Sequence, residues 1–153
     1  RASVVITGYR GNTEMAGNRT LAIIKPDAFG AGKAGRIIGH LEAQGFTIVC
    51  ARVQHLSRAE AEAFYEVHKE RPFFAELVQF MSSGPCMPMV LERADAVQAY
   101  REAIGATDPA EAADGTVRKL YAESKGRNAV HGSDSDENAR HEGMFFFGGA
   151  ALI

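Results

Sequence analysis

Apolar residues enter this chain in blocks whose spacing switches between that of a strand and that of a helix. Leu21-Ala22-Ile23-Ile24 is an unbroken apolar run that stops at Lys25-Pro26-Asp27, which reads as a buried strand running into a turn. Ile37, Ile38 and Leu41 then share one helical face, with Gly45 placed to end that helix. Phe46 to Leu56 alternates loosely and is rich in β-formers, the signature of a strand. Ser57 and Glu60 stand at the spacing of a capping box and open a helix through about His68. Pro72 suits the first turn of another helix, whose apolar side is Phe73, Phe74, Leu77, Phe80 and Met81. Ser83-Gly84-Pro85 breaks the chain, and Met87 to Glu92 reads as a strand despite Pro88. A helix from about Asp95 to Ile104 stops at Gly105, and Ala106 to Gly115 is mostly loop. Val117 to Ser124 is weakly helical, Ser133 to Glu142 is a short polar helix, and Met144 to Phe147 reads as the last strand.

Two strand-helix-strand halves in one small domain suggest an α+β sandwich of the α/β class. The expected form is ferredoxin-like, a four-stranded antiparallel sheet with helices packed on one face. A small doubly wound sheet fits the same order of elements. Arg1 to Gly17 shows no period, so residues 1–17 are read as an N-terminal extension or expression remnant, with Met15 as a natural start. Residues 18–153 are read as a single domain.

Composition narrows the function classes. The chain has 153 residues, 46% hydrophobic and 24% charged, which suits one domain with a real core. Seventeen basic against 19 acidic residues give a net charge of −2, without the basic excess of a nucleic-acid binder. Cys50 and Cys86 are far apart and form no metal-type pair, so reduced thiols in the cytoplasm are expected. No window approaches the roughly 18 consecutive apolar residues of a membrane span.

Five histidines are candidates for chemistry: His40, His55, His68, His131 and His141. His40 lies in an amphipathic helix, His55 near a strand end and His68 near a helix end, all ordinary places for structural or surface histidines. His131 stands apart because Gly126 to Ser135 packs a nucleophile, hydrogen-bonding groups and glycine into one stretch. Glycine beside the imidazole lets a ligand approach the backbone, and an imidazole of pKa ~6.5 is nucleophilic at neutral pH. Two other motifs fail. Gly30-Ala31-Gly32-Lys33-Ala34 lacks the glycine of a P-loop at Asp27 and its hydroxyl at Ala34. Asp134, Asp136 and Asn138 open like a calcium loop, but Ala139 and Phe145 stand where that loop needs Gly and Glu.

Asn128-Ala129-Val130-His131-Gly132-Ser133-Asp134-Ser135 closely resembles the active-site signature of nucleoside diphosphate kinases. Four further blocks resemble that family in order and spacing: Thr20 to Asp27, His68 to Phe74, Ser82 to Pro85, and Gly105 to Pro109. Together they span about residues 19–147. The resemblance implies γ-phosphoryl transfer between nucleotides by a ping-pong route through a phosphohistidine at His131. It implies that Glu142 orients the imidazole and that Ser133 supports Glu142. It assigns Arg101, Thr107 and Arg118 to the phosphates, and Lys25 and Asn128 to phosphates and sugar hydroxyls. Phe73 would stack on the base, giving broad base tolerance, and Tyr65 would support Lys25. The cofactor implied is Mg2+, held mainly by the nucleotide phosphates with no protein metal site. The partners implied are ATP and other nucleoside tri- and diphosphates. A homo-oligomer is expected, a hexamer first and a tetramer or dimer otherwise, with no membrane and no nucleic acid.

The chain also departs from the family. Leu120 stands where a carboxylate is common, Lys125 where an apolar contact to the base is usual, and Gly143 where a branched residue is usual. Gly148 to Ile153 does not resemble the common tail. Two alternatives follow: a nucleotide- or nucleic-acid-binding regulatory module that has lost fast turnover, and a phosphotransferase that passes the group from His131 to a protein.

Overall fold

The computed structural model describes residues 17–149. The extension expected at residues 1–17 thus lies outside the described residues except for Gly17, and the tail from Ala150 to Ile153 lies wholly outside them. The elements in chain order are β1 (Arg19–Ile24), α1 (Pro26–Gly30), α2 (Ala34–Ala43), β2 (Thr47–Ala51) and α3 (Arg58–Phe64). There follow α4 (Phe74–Met81), β3 (Met87–Glu92), α5 (Ala96–Ile104), α6 (Val117–Tyr121), β4 (Val130–Gly132) and α7 (Asp136–Phe147). The strands form one sheet in the order β2-β3-β1-β4, every pair antiparallel, which is the ferredoxin-like arrangement.

β1 is central, and its four apolar residues serve both faces, because side chains alternate along a strand. Ala22 and Ile24 face a core with Ile37 and Leu41 of α2 and Tyr100 and Ile104 of α5. Leu21 and Ile23 face a second core with Ala61 of α3, Val78 and Met81 of α4, and Phe146 of α7. All four β1 residues are fully buried. Helices therefore cover both faces, which corrects the expected one-sided layer. A continuous apolar strand carries that information, since a sheet with one wet face would alternate.

A second correction concerns the end of the chain. Met144 to Phe147 is not a strand but the last turn of α7, and the fourth strand is Val130–Gly132. Ser135 caps α7 by accepting the Asn138 N–H at 3.1 Å, and Asp136 and Glu137 sit in the first turn, where the helix dipole favours acids. Ala139, Gly143 and Phe146 are its buried residues, at helical spacing. Three consecutive phenylalanines look β-forming, but only Phe146 enters the core.

Smaller shifts have local causes. Lys25-Pro26-Asp27 starts α1 instead of a simple turn, with Pro26 in its first turn. The capping box at Ser57 and Glu60 is present in full, but α3 ends at Phe64 and a 3-10 turn follows at Glu66–His68. Pro72 precedes α4, which begins at Phe74, and α6 stops at Tyr121, short of Ser124. Among the described residues no helix is long and apolar enough to cross a membrane.

Candidate active site

The site is assembled around β4. Pairing with β1 sets Ile23 opposite His131, so the imidazole lies on the face of the second core, beside α3 and α7. Val130 points the other way and is fully buried. Gly132 is required by a protein contact instead of a ligand. A Cβ there would sit 2.6 Å from Tyr100 Cε1, and the Tyr100 hydroxyl donates to the His131 carbonyl at 3.1 Å. Burial drives the Tyr100 phenol well above its ordinary range, which keeps it a donor.

His131 Nε2 is hydrogen-bonded with Glu142 Oε1 from α7, and both side chains are about four-fifths or more buried, at 20% and 16% exposure. The rings of Phe64 and Tyr65 meet the imidazole edge-on, with centroids at 5.5 and 6.4 Å. Aromatic walls and one carboxylate fix the ring, which leaves Nδ1 without a hydrogen bond among the described residues.

A cavity of about 620 Å³ opens beside this pair, lined by His131, Lys25, Arg101, Thr107, Arg118 and Glu111 among others. Its size suits a small-molecule ligand. Arg101 and Thr107 are exposed, whereas Arg118 is 9% exposed and donates to the carbonyls of Gly105 (3.0 Å), Asn128 (3.3 Å) and Val130 (2.9 Å). Those three bonds use three of the five guanidinium donors, so Arg118 braces the cavity wall as well as charging it. Burial and the nearby Arg101 pull the Arg118 guanidinium below its ordinary value, despite an upward pull from Tyr100.

Lys25 leaves β1 into the same cavity and donates to Asn128 Oδ1 at 2.8 Å, while Asn128 Nδ2 donates to the Thr107 carbonyl at 3.2 Å. Burial, then Arg118, pull the Lys25 ammonium down to about 8, with Asp27 opposing. The Lys25 backbone N–H also donates to the Ala129 carbonyl at 2.8 Å. Ala129 has φ of 71°, a left-handed conformation that costs a non-glycine residue about 1 kcal/mol or more. Gly105 is likewise left-handed at φ 85°, and a Cβ there would lie 2.6 Å from Thr116 Oγ1.

Two expected side chains make other contacts in this structure. The Ser133 hydroxyl turns to the Leu21 carbonyl at 3.5 Å instead of Glu142, because its own N–H is already paired there in the sheet. The Tyr65 hydroxyl is buried with no hydrogen-bond partner, and its ring lies against His131 instead of supporting Lys25. Phe73 is 49% exposed with its ring 5.6 Å from His68, at the start of α4 and outside the cavity lining. Sequence reasoning missed Phe64, Tyr100 and Thr116. Only Thr116 left a signal, as a threonine placed to cap the segment Val117 to Tyr121. Among the described residues no group of three His, Cys, Asp or Glu side chains is placed to hold a metal ion.

The nucleoside diphosphate kinase family model matches residues 18–152. The nucleoside diphosphate kinase of Chlorobaculum parvum is 58% identical over 135 residues, covering 88% of this chain and 96% of its own. That of Sorangium cellulosum is 57% identical over 135 residues, with 88% and 94% covered. Among solved structures, the Aquifex aeolicus nucleoside diphosphate kinase superimposes with a TM-score of 0.85 at 45% identity, covering 89% of this chain and 99% of that one. The Encephalitozoon cuniculi nucleoside diphosphate kinase gives 0.82 at 38% identity, with 86% and 89% covered. With nearly its whole length thus matched, the chain belongs to the nucleoside diphosphate kinase family and is a phosphotransferase of nucleotide metabolism.

Proposed function

We propose that the chain moves the γ-phosphoryl group of a nucleoside triphosphate to a nucleoside diphosphate in two half-reactions, with His131 as carrier. The observation that carries this is the His131–Glu142 pair at a cavity lined by Lys25, Arg101 and Arg118. In the first half-reaction Nδ1 attacks the γ-phosphorus in line and an N–P bond forms. The bond from phosphorus to the β,γ-bridging oxygen breaks, and the diphosphate departs with that electron pair. The second half-reaction runs the same steps in reverse with a different diphosphate. Glu142 holds the Nε2 proton, keeps Nδ1 unprotonated and opposes the positive charge that grows on the ring. Lys25, Arg101, Arg118 and the Thr107 hydroxyl meet the phosphate oxygens, where positioning and charge account for most of the rate.

Asn128 aligns Lys25 and reaches the sugar hydroxyls, and Tyr65 holds the imidazole from the side. The half-exposed ring of Phe73 offers a face on which any base can stack. Ser133 anchors β4 to β1. Three cations do not neutralise a triphosphate, so Mg2+, held mainly by the phosphates, would supply the remaining charge. In this reading residues 18–153 are one domain, working in the cytoplasm as a homo-oligomer, a hexamer before a tetramer or dimer. Among the described residues β2 stands at an open edge of the sheet, which supports self-association.

Intact mass after incubation with ATP and magnesium tests the mechanism. The expected result is a gain of one acid-labile phosphoryl group, absent in His131→Ala and discharged by a different nucleoside diphosphate. Nucleotide binding without a phosphoenzyme would replace this reading with that of a regulatory module.

A further inference from the structure

Asp27 does no chemistry in the scheme above, yet it is a buried carboxylate beside the site. It stands in the first turn of α1, is 7% exposed, and its Oδ2 accepts the Ala129 N–H at 3.0 Å. Its Oδ1 is buried with no hydrogen-bond partner. The residue it holds is Ala129, in the left-handed conformation at φ 71°. Ala129 joins Asn128, which binds Lys25, to the strand that carries His131. On the other side of Ala129, its carbonyl accepts the Lys25 N–H at 2.8 Å. The peptide groups on both sides of one strained residue, Ala129, are thus clamped to the segment Lys25 to Asp27. Without that clamp an alanine would relax toward negative φ, which would turn Asn128 and His131 relative to Lys25.

We propose that Asp27 is a positioning residue for phosphotransfer: its carboxylate locks Ala129 in the left-handed conformation and so sets how Asn128 and His131 meet Lys25. The proposal rests on the reading of His131 as the phosphoryl carrier. Asp27 has a second effect by charge. Lys25 is faced by Asp27 from α1, by the Arg118 guanidinium from α6, and by neutral Asn128. Of the two charged neighbours Asp27 alone favours the ammonium.

The test is kcat/KM against pH, with ATP and a pyrimidine nucleoside diphosphate, for Asp27→Ala, Asp27→Asn and Asp27→Ala combined with Ala129→Gly. Asp27→Ala is expected to lose on the order of 10²-fold, the scale of a misplacement of about 1 Å. Adding Ala129→Gly recovers about tenfold, because glycine adopts this φ unaided. Asp27→Asn keeps an acceptor for the Ala129 N–H and stays within about tenfold at neutral pH. Its high-pH limb moves below that of the native chain, because the charge that favoured the Lys25 ammonium is gone. Native kcat/KM in Asp27→Ala, or no recovery in a folded double variant, overturns the proposal. Where Asp27→Ala does not fold, an unmoved limb in Asp27→Asn overturns it. Phosphoenzyme formation by the native chain is the separate control. Its absence removes the carrier reading, whereas unaffected Asp27 variants in a chain that forms it remove only the positioning role.

Discussion

Burying an ammonium group beside a guanidinium is unfavourable in the free enzyme, and Lys25 carries that strain until an anion arrives. With its pKa lowered from 10.5 to about 8, the lysine sheds its proton in the folded chain at a pH where the unfolded chain still holds it. The unfolded state therefore binds more protons between about pH 8 and 10.5, and stability rises with pH across that window. Two consequences can be measured. Lys25→Met removes a penalty of roughly 3 kcal/mol at pH 7 and raises the unfolding midpoint while phosphotransfer collapses; a lower midpoint would contradict the electrostatic account. In the native chain kcat/KM falls as pH rises through about 8 with loss of the ammonium, and Lys25→Arg carries the rate to higher pH. At this scale the sequence pointed to candidate residues and left their contacts hidden. His131 and Lys25 sit in quoted motifs, but Ser133 turns to Leu21 because its backbone N–H is paired with that carbonyl. No local pattern shows which carbonyl a register will offer.

Among the elements, α7 is the one on which sequence and structure part most clearly. Its apolar residues Met144 to Phe147 follow one another directly, so local propensity read them as a strand. The cap at Ser135 and the buried set Ala139, Gly143 and Phe146 make a helix. β4 escaped notice for a different reason: three residues are too few for any period. These two elements hold the His131–Glu142 pair, one partner each, so the cap of α7 bears on that pair through the placing of Glu142. Ser135→Ala is expected to cost about 1 kcal/mol, or roughly 2–4 °C in midpoint for a chain of this size. Its kcat should fall more than its affinity for nucleotide. Equal loss in both, or none, would show that the start of α7 does not govern Glu142. Elements with a full signature were legible before the fold was seen. The capping box at Ser57 and Glu60, the helix ending at Gly105, and β3 all stand where the pattern put them.

For the molecule as a whole, the central place of β1 has an expected signature in amide exchange. Ala22 to Ile24 are fully buried and paired on both edges, so their amides should exchange only by global unfolding. Val67 and Phe73, at 87% and 49% exposure, lie in the stretch from α3 to α4, which has far less to hold it. Exchange there should be faster by orders of magnitude and slow when nucleotide is added; equal rates in both regions would refute this division. The order of strands and helices was largely readable in advance, because β1 states its burial in an unbroken apolar run. The cavity was not, since Arg101, Thr107 and Arg118 come from separate segments that only the completed sheet brings together. The fit of Gly132 beneath Tyr100 bears on how such a chain can change over generations. A methyl group at 132 collides with the ring at 2.6 Å, and trimming Tyr100 first gives up its hold on the His131 carbonyl. Each single step toward another pair of residues thus passes through a damaged intermediate, so descendants are trapped in this pairing unless both codons change together.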